Sequence, residues 1–246
     1  TSTKSLEKIT LFRLYNKIIA VDISIYLYKF ISNGDLLENF YSMLCTFYYY
    51  KIIPIFVFDG KPRAEKKELL EMRKMEKINA EKEYYKLEKI ISNFDIQEDK
   101  LENIKLAIDF LKKKFNKFNY QQIYDIKKLI KAFGYNYIEA NCEADVICAQ
   151  LVKKNIAYAC LSEDMDMFIY GCNRVIRYFS ILNHSAIIYN FYNILNELNI
   201  SFKEFKEICI ISGTDYNINY KKNNLYTVID LYNQYKLSKY KEFYLW

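Results

Sequence analysis

Glycine and proline are scarce in this chain of 246 residues, numbering 5 and 2. That leaves no room for collagen-like or proline-rich linker architecture and favours long regular elements. Histidine occurs once, at His184, and the six cysteines (Cys45, Cys142, Cys148, Cys160, Cys172, Cys209) include no C-x-x-C pair. A zinc site and a disulfide-stapled fold are thereby disfavoured, and free thiols buried in a reducing compartment are expected. No apolar run reaches the roughly 18 residues that span a bilayer, because Lys17, Asp22 and Lys29 interrupt the best candidate. Residues 1–17 scatter their charges and lack the apolar core of a signal peptide. The expectation is a soluble intracellular protein, neither secreted nor membrane-bound.

What is present is ample for a folded core. Hydrophobic residues make up 52% of the chain and charged residues 27%, too apolar for a disordered segment. The length accommodates one sizeable α/β domain. The net charge is +6, with basic residues crowded into 61–131, which suits an anionic partner such as nucleic acid.

Three β-branched-rich runs, 17–21 (KIIAV), 52–58 (IIPIFVF) and 156–161 (IAYACL), each end at an acidic residue or an acidic turn. Shorter candidates lie at 135–138, 175–178 and 186–189. Continuous apolar runs of this kind are strands buried on both faces of a parallel sheet. Segments with helical spacing alternate with them at 24–32, 36–49, 121–133, 143–154 and 201–212, predicting a parallel, doubly covered sheet with right-handed crossovers. The stretch 61–117 breaks the rhythm. Its charge density is too high for a buried crossover, so it reads as a solvated helical hairpin or a basic arch over a groove, with a break near 92–95. The polar segment beyond Asp215 reads as a helical pair.

In open parallel sheets, ligands bind beyond the carboxyl ends of the strands. Asp22, Asp59 and Asp164 each close a predicted strand, and Asp166 follows in the same turn as Asp164. Glu143 and Asp145 open a helix, where the dipole alone would tolerate an acid. Asp215 follows the apolar helix 201–212. Singly, each has an ordinary explanation as a cap or turn former. Gathered at one edge they would repel strongly unless cations lay between them. Oxygen-only ligands favour hard ions, Mg²⁺ or Mn²⁺, and more than one of them. Two such ions ~4 Å apart suit in-line attack of water on a phosphodiester.

The residues carry a resemblance here. IAVDIS at 19–24, VFDGKP at 57–62, EAD at 143–145, SEDMD at 162–166 and ISGTDY at 211–216 resemble, in order, the flap endonuclease family of structure-specific 5′-nucleases, in a compact or truncated form. The resemblance implies an α/β fold with a mainly parallel central sheet flanked by helices on both faces (a PIN-like 5′-nuclease fold) and a helical arch over its carboxyl edge. It implies a single nuclease domain over 1–246, with the arch at 61–130 and a degenerate helix-hairpin-helix-like region at 213–246. Asp22, Asp59, Glu143 and Asp145 match the ligands of one Mg²⁺, and Asp164, Asp166 and Asp215 those of a second, with Mn²⁺ able to substitute. At 145, Asp stands where the family more usually has Glu.

Lys66 and Arg73 match the basic pair projected onto the scissile phosphate; their seven-residue spacing places them on one helix face. Tyr28 matches an aromatic that stacks on a base beside the cut, or else is one of the chain's many core tyrosines. Lys61 and Lys67 would contact nucleic acid, and Lys221 and Lys222 would anchor the duplex. The family's hairpin turn is glycine-rich and often holds a potassium ion, whereas residues 217–224 (NINYKKNN) contain no glycine. No sliding-clamp motif is recognisable. The implied activity is Mg²⁺-dependent hydrolysis of branched or 5′-flapped DNA in replication, repair or recombination. The implied protein is a monomer in the nucleus or a replication compartment, without a small-molecule cofactor. The rival readings are a processive 5′→3′ exonuclease on DNA or RNA and a catalytically silent nucleic-acid-binding scaffold.

Overall fold

A computed structural model describes residues 4–32, 34–62, 64–93, 98–115, 118–213, 224–238, 240 and 242–246. Asp215, Lys221 and Lys222, together with the hairpin turn around them, lie outside the described residues. Along the chain run β1 (Leu6–Thr10), β2 (Ile18–Asp22), α1 (Ile23–Ser32), α2 (Leu36–Tyr49), β3 (Ile53–Phe58), α3 (Lys67–Asn93), α4 (Glu98–Phe115), α5 (Tyr120–Ala132), β4 (Asn136–Glu139), α6 (Ala144–Lys153) and β5 (Ala159–Leu161). There follow α7 (Asp166–Ile169), β6 (Arg174–Ser180), β7 (Ser185–Asn190), α8 (Phe191–Leu198), α9 (Phe202–Ser212) and α10 (Leu225–Lys236).

The strands form one sheet in the order β1-β7-β6-β5-β2-β3-β4. Five of them, β6, β5, β2, β3 and β4, are mutually parallel, while β7 runs antiparallel to β6 and β1 antiparallel to β7. The continuous apolar runs are explained by two cores. Ile19 and Val21 of β2 and Ala159 and Leu161 of β5 point into one layer with α1, α2 and α5. The intervening Ala20 and Cys160 point into the other, against Ala144, Cys148 and Val152 of α6 and Phe168 of α7. Pro54 is tolerated in β3 because the β4 ladder begins only at Ile55, so no bond is lost on that side.

The chain leaves β2 toward β3 and β4 on one side and returns to β5 on the other. The carboxyl ends of β2 and β5 therefore border a topological switch point, the place where loops diverge and leave a crevice.

Residues 61–130 divide in two. Helices α3 and α4 pack against each other, with Ala80 and Leu111 buried between them and the Tyr84 and Phe115 rings 5.2 Å apart. By contrast α5 buries Ile126 and Ile130 in the main core and begins with a reciprocal capping box between Asn119 and Gln122. The charged insertion is thus the α3–α4 pair, and the expected boundary at 130 runs one helix too far. Strand β1 and helices α7 and α8 had no counterpart in the sequence reading. In β1 only Ile9 is buried, so no alternation marks it. All six cysteines are free thiols, and Cys148, Cys160 and Cys172 are buried.

Gly60 is fixed by packing rather than by a special dihedral. Its N–H donates to the Cys142 carbonyl at 2.7 Å, and a Cβ there would sit 1.9 Å from the Ala140 carbonyl oxygen. Gly60→Ala should therefore push the β3 end away from the 140–142 loop and cost several kcal/mol of stability, about the scale of an overpacked core. Urea unfolding checks this; an unchanged midpoint would refute the close approach.

Candidate active site

The carboxyl ends of the parallel strands bring five acidic side chains into mutual electrostatic contact. Asp22 is the last residue of β2 and is buried; its Oδ1 accepts the Ser24 N–H at 3.2 Å and its Oδ2 accepts the Ser162 hydroxyl at 3.0 Å. Asp59 follows β3. Its Oδ2 accepts the Ser24 hydroxyl at 2.5 Å and its Oδ1 accepts the Ala144 N–H at 2.8 Å. That last bond satisfies one of the open N–H groups in the first turn of α6, where the helix dipole also favours an anion. Glu143, at the α6 N-cap, uses its side chain elsewhere: Oε1 pairs with Lys66 Nζ at 2.6 Å and Oε2 accepts the Tyr170 hydroxyl at 3.3 Å.

Asp164 follows β5 in a tight turn. Its N–H donates to Ser162 Oγ at 3.1 Å, and its Oδ1 accepts the Asp166 N–H at 2.8 Å, which starts α7. A chain of short bonds thus runs Asp22–Ser162–Asp164–Asp166 on one side and Asp22–Ser24–Asp59–α6 on the other. Ser24 and Ser162 were part of the motifs in the sequence but had no assigned role. Their signal was a hydroxyl two residues from an aspartate, a spacing suited to local side-chain-to-backbone bonding.

Asp145 is different in kind. It lies in the first turn of α6, and its Oδ1 is buried without a hydrogen-bond partner. Desolvation first, then the charges of Asp22, Asp164, Asp59 and Glu143, push its carboxyl up to about 8. Burial first, then the Asp59 charge, pushes Asp22 up to about 6, against the bonds from Ser162 and Ser24. An orphaned buried carboxylate oxygen inside a ring of other carboxylates fits a hard cation with oxygen ligands. Among the described residues no three acidic or thiol side chains converge on one point at ligating distance. The carboxylates are instead held by the protein's own donors.

Asp166 stands at the α9 side of the ring, where its charge, after burial, helps push the Cys209 thiol up to about 11. Since α9 ends at Ser212, the segment carrying Asp215 starts from this side. Lys66 reaches the ring, but from a 3₁₀ turn (Ala64–Lys66) ahead of α3, so helical phase does not relate it to Arg73 as the spacing suggested. Arg73 is exposed in the second turn of α3, and Lys61 and Lys67 are exposed at the base of the helical pair. Tyr28 is no core residue: it is 44% exposed on α1, its ring 5.0 Å from that of Phe118 and 5.2 Å from Lys77 Nζ. Phe118 and Lys77, distant in sequence, gave no sign of this contact.

The architecture is shared with solved structures. The catalytic core of Rad2 in complex with a DNA substrate superposes with a TM-score of 0.71 at 21% identity, covering 96% of this chain and 66% of that one. Flap endonuclease-1 from Methanococcus jannaschii gives 0.63 at 21%, covering 97% and 79%. These likenesses define the fold class. Sequence comparison goes further: the XPG N-terminal domain matches residues 1–80 and the XPG I-region matches residues 134–215. Flap endonuclease 1 of Entamoeba dispar is 32% identical over 95% of this chain, and that of Methanococcus aeolicus 30% over 86%. The chain belongs to the flap endonuclease (XPG) family. It spans 64% of the Entamoeba relative's length and 66% of the Methanococcus one's.

The crowded charge has a measurable consequence. Asp22 and Asp145 have folded-state pKa values above the ~4 of an unfolded aspartate, so ionising them disfavours the fold. Without divalent cations, their contribution is fully retained below about pH 4 and lost as pH rises through about 6 and about 8. In EDTA, Asp145→Asn should raise the melting temperature by several degrees at pH 8.5 and by much less at pH 5. Mg²⁺ or Mn²⁺ should stabilise the wild type more than the variant. A variant less stable than wild type at pH 8.5 would contradict the assignment.

Proposed function

We propose that this chain is a divalent-metal-dependent, structure-specific 5′-nuclease that hydrolyses phosphodiesters in branched or 5′-flapped DNA. The observation that carries the reading is the buried, unpartnered Asp145 oxygen within a ring of four other carboxylates at the switch point of the sheet. Asp22, Asp59, Glu143 and Asp145 would hold one Mg²⁺. Asp164 and Asp166, with Asp215 from outside the described residues, would hold a second. Bound there, such ions supply charge neutralisation and an activated water for phosphodiester hydrolysis.

The chain's own side chains do the rest. Ser24 and Ser162 orient the carboxylates of Asp22 and Asp59 by donating to them. Lys66, already at the ring beside Glu143, offers a cation to the phosphate undergoing cleavage, and Arg73 adds a second from α3. The α3–α4 pair guides the single-stranded 5′ arm, its many lysines following phosphates. Tyr28, flanked by Lys77 and Phe118, presents an aromatic face to a base near the cut. The family relatives named flap endonuclease 1 and the DNA-bound Rad2 core support branched DNA as the substrate class. Six unpaired cysteines suit a reducing intracellular compartment, nuclear or replicative, for a monomeric protein.

Cleavage of a 5′-flap substrate with Mg²⁺ is the direct test. Asp164→Asn should abolish it while leaving DNA binding in place. No cleavage of flap, nicked or single-stranded DNA by the wild type with Mg²⁺ or Mn²⁺ would favour the scaffold reading. Stepwise digestion from 5′ ends regardless of branching would favour the processive exonuclease.

Lys66→Ala and Arg73→Ala should each slow single-turnover cleavage about 10²-fold, the scale of one transition-state electrostatic contact. Kd for the flap substrate should change far less. Equal losses in rate and affinity would reduce both residues to groove charges.

A further inference from the structure

We infer that Tyr178 is a nucleobase-stacking residue beside the Asp164–Asp166 half of the site, and thus a second aromatic platform for the substrate; this rests on the branched-DNA reading above. Strand β6 is parallel to β5, and its register pairs Leu161 with Ile176. Tyr178 therefore projects past the end of β5, level with the turn that carries Asp164, on the same carboxyl edge as the acidic ring. The β6–β7 pairing is irregular between Arg177 and Ser180. Tyr178 sits in that bulge with φ +52°, the only positive-φ non-glycine inside a strand among the described residues. A left-handed conformation is costly for a bulky side chain, and bulges near active sites serve to re-aim one.

The bulge is held from the site itself. The Tyr178 N–H donates to Glu163 Oε1 at 2.8 Å, and Glu163 is the residue before Asp164. The other Glu163 oxygen lies 3.5 Å from Arg177 Nε. The Arg177 guanidinium stands 5.0 Å from the Tyr178 ring centre and also lies against the Met165 sulfur. A strained backbone, a carboxylate latch and a stacked guanidinium thus fix an aromatic side chain that is nonetheless 55% exposed. Burial does not explain why it is held so. A ring with one face on a guanidinium and an accessible surface next to the carboxylates is the chemistry that takes an unpaired base, whose flat face stacks whatever its identity. Tyr28 lies on α1, which follows β2, and Tyr178 lies in the second half of β6, so the two aromatics come from opposite sides of β5.

Tyr178→Gly separates the ring from the backbone, because glycine adopts the positive φ without strain. The probe is a 5′-flap DNA carrying 2-aminopurine in turn at the unpaired and terminal positions around the branch, titrated in EDTA so that it is not cut. Wild-type binding should quench at least one position. Tyr178→Gly should abolish that quench and weaken binding about tenfold at unchanged or higher melting temperature, whereas Tyr178→Phe should keep both. Undiminished quenching in Tyr178→Gly overturns the proposal, as does a loss in Tyr178→Phe as large as that in Tyr178→Gly. So does a fall in melting temperature for Tyr178→Gly, which would make the ring a structural prop. Failure of the wild type to bind branched DNA would overturn the nuclease reading and this proposal together. Binding and Mg²⁺-dependent cleavage with unchanged quenching in Tyr178→Gly would overturn this proposal alone.

Discussion

Repulsion among Asp22, Asp59, Glu143, Asp145 and Asp164 is the force against which the surrounding structure is built. Left in water these groups would separate; here they are anchored to strand ends and a helix start that the two apolar cores fix in place. Each carboxylate but one is given donors: hydroxyls from Ser24, Ser162 and Tyr170, backbone N–H groups from Ser24, Ala144 and Asp166, and the Lys66 ammonium. The remaining deficit is concentrated on Asp145. Clusters of like charge with perturbed carboxyls of this kind are the hallmark of functional sites, which commonly trade stability for activity.

The helical pair stands in contrast. Among the described residues, its internal packing rests on small clusters such as Ala80, Tyr84, Leu111 and Phe115. Lys66, in the turn ahead of α3, pairs with Glu143 of the acidic ring. A segment with little buried apolar surface draws little stability from packing and belongs to the low-stability end of a structure.

Much of this is legible in the sequence. The apolar runs ending in Asp22, Asp59 and Asp164 identified buried parallel strands and placed their carboxylates at one edge, because burial on both faces and strand polarity are encoded locally. The motif resemblance added the metal and substrate expectations. Less visible were features that depend on long-range pairing. Strand β1 buries one residue, so it leaves no pattern. The 3₁₀ turn at Ala64–Lys66 breaks the helical phase that the spacing of Lys66 and Arg73 implied. The arch boundary at 130 came from the resemblance, whereas the residue pattern already set 121–133 apart as a helix covering the sheet, and Ile126 and Ile130 of α5 do belong to the core. The Phe118 and Lys77 contacts of Tyr28, and the bulge at Tyr178, arise only when distant segments meet.

The strict alternation of β2 has a corollary. Its odd-numbered residues fill one core, Ala20 fills the other, and Asp22 closes the strand at the switch point. Adding or deleting one residue in that strand would exchange the two layers and carry the carboxylate off the edge. Substitution by another aliphatic of similar bulk would do neither. The strand therefore tolerates a change of composition here, but not a change of length.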